Sequence, residues 1–304
     1  MTQLLNALPG ALAQGLIWGV MAIGVYITYK VLDIADLTVD GSICTGAAVC
    51  TMLLLGGQSP RLALLCAVLA GVLAGAVTGL LHVGLGIPPI LAGILTQMVL
   101  WSVNLKLLGK ANQALPARTT PVLLSQMDVG GALPVLLGFC VVLVALLVLF
   151  FGTELGCALR ATGCNPVMSR AQGVNTGLMK VIGLALSNGV VALSGALLCQ
   201  YQGYTDVNMG RGAVVIGLAA VVIGQAVLGR RGGRMAVQLG GVILGAVIYY
   251  IVYQVIIFAG FDTDLLKMFS AVVVAVFLGA PHVKAQLKAH SRSKKGDSGH
   301  AENE

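Results

Sequence analysis

Residues 131–152 read GALPVLLGFCVVLVALLVLFFG and carry no charged side chain over 22 positions. A helix needs roughly 20 mostly apolar residues to cross the hydrocarbon core of a bilayer, so this stretch predicts a membrane-spanning helix. Comparable apolar runs occur along the rest of the chain, at 11–29, 62–82, 87–108, 180–200, 212–229, 235–258 and 267–281. The chain is therefore expected to cross a membrane many times.

A ninth apolar run, 41–57, is short and rich in glycine, and polar residues precede it. We expect it to be a re-entrant half-helix, because non-helical backbone at membrane depth is tolerated where it lines a cavity. The alternative is a ninth complete crossing. The sequence thus predicts an all-α polytopic membrane protein, a bundle of about 8–10 transmembrane helices that includes re-entrant or broken helices.

The composition of the whole chain supports this fold class. Of its 304 residues, 58% are hydrophobic and only 10% are charged, whereas soluble domains carry about 25% charged residues. So few charges cannot cover the surface of a soluble globule of this size, which excludes a nucleic-acid reader, a secreted disulfide scaffold and a disordered chain. We expect a transmembrane domain over 1–281 and a short, basic, disordered tail over 282–304.

Lysine and arginine predict the orientation of the bundle. They cluster in the loop 153–180, in the turn 229–234 and in the tail 282–304. Cytoplasmic segments of membrane proteins are enriched in these residues, so all three segments are expected in the cytoplasm and 109–130 outside. If the short run 41–57 does not cross, the N-terminus also lies in the cytoplasm; if it crosses, the N-terminus lies outside.

Sequence motifs of catalysis or metal binding are missing from the chain. It has no GxxxxGK[ST] phosphate loop and no HExxH or GxSxG pattern, and its seven cysteines form no CxxC or Cys/His cluster. We expect the cysteines to be packing residues and the chain to be a non-enzyme without a metal or cofactor of its own. An ion-coupled transporter or an intramembrane enzyme would need acids, histidines or a nucleophile within the spans, and none is evident.

Glycines and polar residues near the spans are the candidates for packing and for a solute route. Gly71, Gly75 and Gly79 share one helix face, which indicates close helix packing or a helix that slides during transport. The stretches DLTVDGSICTGAA from Asp36 and TDVNMGRGAVVIGLAA from Thr205 resemble each other, as broken helices of two related halves would.

On the predicted orientation, both of these stretches lie at the external side. The candidate route residues are polar side chains in or beside spans, for which helix capping and interhelical hydrogen bonds are the alternative roles. They are Asp36, Thr38, Asp40, Gln97, Asn104, Asn188, Gln202, Asp206 and Asn208.

The loop TELGCALRATGCNPVMSRAQGVNT (153–176) predicts short, well-bounded helices. Thr153 begins the first, which is expected to stop at Gly163. Asn165 is placed to cap a second helix over 166–172, Pro166 fits its first position, and Gly173 ends it. Asn175 is then placed to cap the next span. Such a helix is either part of a surface loop or a rigid knob for a cytoplasmic partner.

At this loop the sequence resembles a family: LRATGCNPVMSRAQGVNT is similar to the coupling loop of permease subunits in bacterial ABC importers of the ribose and branched-chain amino-acid type. The resemblance extends over nearly the whole chain, up to the tail. It is carried further by YKVLDIADLTVDGSICTGAAV, GIPPILAGILTQMVLWSVNLKLLG, LALSNGVVALSGALLCQYQGY and IGLAAVVIGQAVLG. These stretches look like the subgroup that works with substrate-binding proteins of the tryptophan/tyrosine kind. Cys164 departs from the pattern, because relatives usually carry an acidic or polar residue there.

The resemblance implies a permease subunit that moves a small organic solute, with an aromatic amino acid favoured, across the inner membrane of a bacterium. The implied partners are two cytoplasmic ATPase subunits, which bind ATP and Mg, an external substrate-binding protein, and a second permease copy in a homodimer. An ion-coupled secondary transporter or channel is the alternative. The residues expected to couple to the ATPase are Arg160, Asn165, Pro166, Met168, Arg170, Ala171, Gly173 and Asn175.

Overall fold

The computed structural model describes residues 2–116, 122–228 and 234–258, together with the single positions 268, 272, 275 and 279, and it describes side chains from residue 8 onward. The chain forms two units, Met1–Val255 and Ile256–Glu304. The second unit lies almost entirely outside the described residues. Most of the predicted span 267–281, the tail 282–304 and the predicted boundary between them lie there as well.

Seven helices in the described part are long and apolar enough to cross a membrane. They are α1 Thr2–Tyr26, α2 Thr38–Leu55, α3 Pro60–Gly84, α4 Pro89–Leu108, α5 Val129–Gly152, α8 Thr176–Gln202 and α10 Met235–Phe258. The shorter elements are α6 Glu154–Cys164, α7 Pro166–Ala171, α9 Ala213–Leu228, and the strands β1 Asn112–Ala114 and β2 Tyr204–Asp206. A π-helical turn, Ile27–Val31, continues α1. The predicted all-α polytopic membrane fold is confirmed.

The long helices begin and end at residues suited to those positions. Pro60 and Pro89 start α3 and α4, where the missing N–H of proline has no helical partner to lose. Gly109 and Gly203 end α4 and α8 with φ of 71° and 77°, a left-handed conformation that favours glycine. Large apolar side chains on α3, α4 and α5 point outward, as expected of helices that contact lipid.

Helix α8 is the central element and contacts α1, α2 and α3. Gly71, Gly75 and Gly79 of α3 all face α8, and a Cβ at Gly75 would overlap the backbone of Leu184. The predicted close packing along this glycine face is therefore confirmed. It brings the α3 backbone against a helix that is itself buried on most of its surface.

Helix α2 runs parallel to α8 in the middle of the bundle. Ser42 faces Asn188, and Cys50 faces Ala196 eight residues later on both helices. The expectation of a re-entrant half-helix over 41–57 is wrong, because α2 is continuous over 18 residues. Its polar side chains are satisfied within the bundle, where the Thr45 hydroxyl donates to the Gly41 carbonyl, so nothing forces the helix to break.

The breaks in the bundle lie beside α2 and α9 instead. The chain is non-helical over 32–37 and in much of 203–212. Ser42 lies one turn after the start of α2 and faces Asn188, which lies near the middle of α8. At 1.5 Å per residue, α2 therefore starts about 12 Å deeper in the bundle than α8 does. The segment 212–229, expected as a span, forms the 16-residue α9.

The two ends of the bundle carry different loops. The N–H of Leu115 donates to the Gly203 carbonyl, and the N–H of Gln126 donates to the Tyr201 carbonyl, at the C-terminal end of α8. At the other end, Lys180 Nζ lies 3.3 Å from His82 Nε2. The described residues of 109–130 and of 153–180 thus lie at opposite ends, as the orientation analysis expects.

The N-terminus lies at the end opposite to the one expected. Helix α1 is antiparallel to α8, because Ser187 donates to the Gly24 carbonyl and Ser194 to the Ile17 carbonyl. Gly10 faces the Tyr201 hydroxyl, near the end of α8 that holds 109–130. The expectation that the N-terminus shares a side with 153–180 fails because it assumed that α2 does not cross.

Candidate functional site

The predicted helix in the 153–180 loop is present and is bounded as expected. The side-chain oxygen of Asn165 accepts hydrogen bonds from the N–H groups of Val167 and Met168, with N···O distances of 3.1 and 3.0 Å. Pro166 occupies the first position of α7, and Gly173 follows with φ of 84°. The helix has six residues rather than seven, with Gln172 as its C-terminal cap. The predicted caps are therefore confirmed.

Helix α7 presents an apolar and basic surface at this end of the bundle. The exposed fractions of Val167 and Met168 are 74% and 61%. Arg170 and Ala171 are also exposed, whereas Ser169 is buried. Arg170 lies in the last turn, where the helix dipole favours a positive charge. Exposed apolar side chains on a capped helix suit contact with another protein.

Helix α6 attaches α7 to the end of α1. Leu159 is fully buried, and Gly163 packs so closely on Val31 that a Cβ would overlap the Val31 carbonyl oxygen. Arg160 lies on α6, exposed, with Nη2 3.3 Å from Cys157 Sγ. Arg160, predicted to couple to an ATPase, also lines a cleft with Lys30 and Met235, so it lies beside α7 rather than on it.

Asn175 joins the 153–176 loop to the central helix α8. Its side-chain oxygen accepts from the N–H of Leu178 at 3.1 Å, which caps α8 as predicted. Helix α7 is therefore connected to two elements, to the end of α1 through α6 and to the start of α8 through the short connection 172–175.

A hydrogen-bond network links the start of α2 to α8. One Asp36 carboxylate oxygen accepts from the Thr38 N–H at 2.9 Å, and the other accepts from Asn188 Nδ2 at 2.7 Å. The Ser42 hydroxyl donates to Asn188 Oδ1 at 2.6 Å. All of these residues are buried. Asp36 and Asn188, both predicted route residues, thus serve as a helix cap and an interhelical contact in the middle of the bundle.

The Asp36 carboxylate is buried, and the hydrogen bonds from Thr38 and Asn188 stabilise its negative charge. Asp36 lies in the non-helical segment between α1 and α2. The expectation that Asp36 and Thr38 lie at the external side is wrong, because α2 begins inside the bundle. The carboxylate faces the first turn of α2, a position that favours negative charge.

A chain of threonine hydroxyls extends this network across α3 and α4. Thr38 Oγ1 lies 2.8 Å from Thr78 Oγ1, which donates to Thr96 Oγ1 at 2.9 Å. Sequence analysis missed Thr78 and Thr96. Threonine is common in helices that contact lipid or protein, and only the position of these residues on buried faces distinguishes them.

Asp40 caps α9, which begins far away in the sequence. Its two carboxylate oxygens accept from the N–H groups of Gly212 and Val214, both at 3.0 Å. Asp206, the acid expected to lead into this helix, instead accepts from the N–H of Asn208 within a turn at 2.6 Å. The starts of α2 and α9 therefore meet at Asp40.

The predicted route residues fall into separate groups. Gln202 ends α8, and Asp206 lies in β2, where it pairs with Asn112 of β1. Asn208 is exposed in the following turn. These three lie towards the end of α8 that holds 109–116, and the structure does not bring them into contact with Asp36 and Asn188.

A cavity of about 640 Å³ brings the remaining route residues together between α2, α4 and the 207–211 segment. Asp40, Gln97 and Asn104 line it, together with Trp101 and Arg211. Asn104 is 1% exposed, and neither its Nδ2 nor its Oδ1 has a hydrogen-bond partner among the described residues. An unsatisfied buried polar group costs roughly 1–3 kcal/mol, so this amide requires a physical explanation.

Sequence analysis missed Arg211 as a cavity residue. The signal was present, because Arg211 stands between two glycines, in MGRGA, directly before a helix. Its position depends on the path of the segment 207–212, which connects β2 to the start of α9. Two contacts fix this path: Gly210 packs against the Asp40 carbonyl, and the N–H of Gly212 donates to the Asp40 carboxylate.

Comparison of the sequence with known proteins identifies a family of membrane transport subunits. The family model described as branched-chain amino acid transport system, permease component, matches residues 8–280. The chain is 37% identical to a tyrosine transport system permease protein of Clostridioides difficile (strain R20291) over 287 residues, 93% of this chain and 94% of that one. It is 33% identical to an uncharacterized protein of Rickettsia prowazekii (strain Madrid E), over 91% of this chain and 98% of the other.

A more distant relative is the autoinducer 2 import system permease protein LsrC of Escherichia coli (strain K12 / DH10B). It is 29% identical over 67% of this chain and 60% of its own length. No solved structure matches the chain significantly. Members of this family are transport subunits rather than enzymes, and they work with ATPase and substrate-binding partners. The chain belongs to the family of permease components of branched-chain amino acid transport systems, and it is a permease component of an ABC import system.

Proposed function

We propose that this chain imports an amino acid, with aromatic side chains favoured, across the inner membrane of a bacterium. Two copies form a homodimer that binds two cytoplasmic ATPase subunits, and an external substrate-binding protein delivers the solute. ATP and Mg bind to the ATPase subunits. The amino-acid substrate is supported by the similarity to a tyrosine transport permease.

The observation that carries the proposal is the exposed, capped helix α7 at one end of the bundle. Val167, Met168 and Arg170 form its exposed surface. An apolar and basic helix of this kind fits a groove on an ATPase subunit. Arg160 on α6 flanks the same surface and extends the contact.

The contacts of α6 explain how ATP binding can reach the middle of the membrane. Movement of α7 displaces α6, whose Gly163 contacts Val31 at the end of α1. Val31 leads through 32–35 to Asp36, which is bonded to Asn188 of α8. Because Asn175 connects the same loop to the start of α8, both partners in the Asp36–Asn188 contact respond to one motion.

ATP-driven uptake in proteoliposomes tests the proposal. The permease is reconstituted with its ATPase subunits and supplied with its binding protein and labelled tyrosine, tryptophan or leucine. We expect uptake that requires ATP and that favours the aromatic amino acids. Uptake that persists without ATP and stops with an uncoupler would show ion coupling and contradict the proposal.

A further inference from the structure

We propose that the cavity between α2, α4 and 207–212 is a binding site for a zwitterionic amino acid with an aromatic side chain. Arg211 binds the carboxylate, Asp40 binds the ammonium group, and Asn104 supplies a further polar contact. This inference rests on the proposed function, and it assigns the substrate class to particular side chains.

The cavity has the size and walls of a small-molecule site. Its volume of about 640 Å³ falls in the range of roughly 300–1,000 Å³ that is common for such sites. Backbone packing makes its walls rigid. Gly210 lies against the Asp40 carbonyl, and its N–H donates to Cys44 Sγ at 3.2 Å. A Cβ at Gly41 would lie 3.0 Å from the Leu100 side chain.

The unsatisfied amide of Asn104 points to a ligand. It lies at the wall of the cavity, nearly inaccessible, and has no hydrogen-bond partner among the residues that the structure describes. An amide that only filled space would be replaceable by leucine at lower cost, because burial without hydrogen bonds is unfavourable. Both amide atoms have almost no accessible surface, so a ligand in the cavity can bond to them only after the amide turns towards it.

Opposite charges line the same cavity. The Asp40 carboxylate is held in place by the N–H groups of Gly212 and Val214. Arg211 lies next to Gly212 and also lines the cavity. A guanidinium group binds a carboxylate through two parallel hydrogen bonds, and a carboxylate binds an ammonium group. An amino acid carries both groups on one carbon, so it matches this pair of charges.

The remaining lining residues suit an aromatic side chain. Trp101, Met98 and Ile94 contribute an apolar wall on α4, and because all three side chains are exposed, the cavity is open on this side. Aromatic rings pack favourably on one another, and methionine sulfur contacts aromatic rings favourably. A small or strongly polar side chain would leave this wall without a contact, which predicts selection for tyrosine, tryptophan and phenylalanine.

Binding of labelled tyrosine to the purified permease in lipid nanodiscs tests the site without the partners. We expect Arg211→Gln to weaken tyrosine binding at least tenfold, while binding of tyramine, which lacks the carboxylate, changes less than twofold. Asp40→Asn keeps an oxygen for only one of the two N–H groups that Asp40 caps, and it should weaken tyrosine binding. Retained binding of 3-(4-hydroxyphenyl)propionate, which lacks the ammonium group, would show that the cavity is still folded in this variant. Arg61→Gln on α3, outside the cavity, is the matched control and should bind as the native protein does.

A second measurement avoids the risk that Arg211→Gln misfolds. Ser102→Cys places a thiol in the cavity wall, and tyrosine should slow its alkylation in the otherwise native chain, as measured by mass spectrometry of the peptide. Absence of protection, or unchanged tyrosine binding in Arg211→Gln, overturns the site. ATP-driven tyrosine uptake by the complete native complex is measured in parallel. If uptake proceeds while the site fails, the proposed function stands; if the native complex transports no aromatic amino acid, the proposed substrate fails as well.

Discussion

Asp36 and Asp40 are close in the sequence, one just before α2 and one in its first turn, yet their carboxylates stabilise different parts of the bundle. Asp36 caps α2 and bonds to Asn188 of α8, whereas Asp40 caps α9. Each carboxylate lies at a helix N-terminus, where the dipole and the free N–H groups favour negative charge. The helix N-termini therefore help to hold two acids within the bundle.

Replacing Asp36 by asparagine should destabilise the bundle and reduce uptake. The new side chain keeps an oxygen for the Thr38 N–H, but its NH2 group would face the Nδ2 of Asn188, a donor. We expect a loss of about 1–3 kcal/mol, the cost of an unsatisfied buried group. Thermal unfolding in detergent and ATP-driven uptake measure the two effects.

Asp206→Asn is the matched control for this change. Asp206 accepts its hydrogen bond within a turn and is only half-buried, and asparagine provides the same acceptor. Unfolding and uptake should match the native protein. Equal behaviour of the Asp36 and Asp206 variants would contradict the structural role assigned to Asp36.

At the scale of single elements, α7 is a short helix that depends on its cap. Isolated helices of fewer than about 12 residues are marginal in water, and α7 has six residues. Asn165 accepts two of its free N–H groups. The shape of the exposed α7 surface thus depends on one side chain.

Asn165→Ala should therefore uncouple transport without unfolding the bundle. Loss of a capping side chain costs typically about 1 kcal/mol, which is enough to disorder a helix of this length. We expect the amount of ATPase subunit that co-purifies with the permease to fall at least several-fold, while the thermal stability of the permease in detergent is unchanged.

Asn165→Asp keeps a capping oxygen and should restore ATPase co-purification to the native level. This comparison separates the cap from other roles of the asparagine amide. Full co-purification with Asn165→Ala would show that the docking surface does not require α7 to be helical.

The close approach of α3 to α8 depends on the absence of a side chain at Gly75. A side chain at Gly75 would overlap the backbone of Leu184, which cannot move aside without shifting α8. Gly75→Val should lower stability by about 1–3 kcal/mol, the range for overpacked cores. The thermal unfolding temperature of the purified protein measures this.

The control is Gly138→Ala on α5. A Cβ at Gly138 meets no atom within 4 Å, so the midpoint of unfolding should not fall. If Gly75→Val unfolds at the native temperature, the close contact between α3 and α8 is absent in the folded protein.

Local features of this fold were predictable from the sequence, and distant contacts were not. The caps at Asn165 and Asn175 act on N–H groups two or three residues away, so spacing alone predicts them. Asp40 acts on α9 across 172 residues, and no local pattern carries that information. The expectation of a half-helix over 41–57 fails for the same reason, because the residues that α2 contacts, such as Asn188 and Ala192, lie far away in the sequence on α8.

At the scale of the whole molecule, the charge distribution and the packing agree on two distinct ends. One end holds α6, α7 and Lys180, and the other holds the described residues of 109–130 and the N-terminal end of α1. The first end holds Arg160, Arg170 and Lys180 of the 153–180 loop, a loop that the positive-inside rule places in the cytoplasm.

Labelling of single cysteines in intact cells should confirm this arrangement. Cys44, Cys50, Cys140 and Cys199 are buried and should not react with the label. Replacing Cys66, Cys157 and Cys164 therefore gives a chain without accessible native thiols. An impermeant maleimide should label Lys110→Cys and should not label Gln172→Cys.

A tag at the N-terminus gives an independent check, and it should be cleaved by protease added to intact cells. Labelling at position 172 from outside would reverse the orientation. Protection of the tag, with position 110 still accessible, would show that α1 does not cross in the direction that its contacts with α8 require.

The cap that Asp40 provides for α9 also constrains how the protein is made. The ribosome must add 172 residues after Asp40 before the N–H of Gly212 exists to bind it. At about 5–20 residues per second, this takes roughly 10–30 seconds. During that interval the nascent chain holds a carboxylate on a membrane-inserted helix without its final partners. Completion of the bundle therefore waits on a late part of synthesis, and a ribosome that stalls before residue 212 leaves an early helix unfinished and open to quality-control proteases.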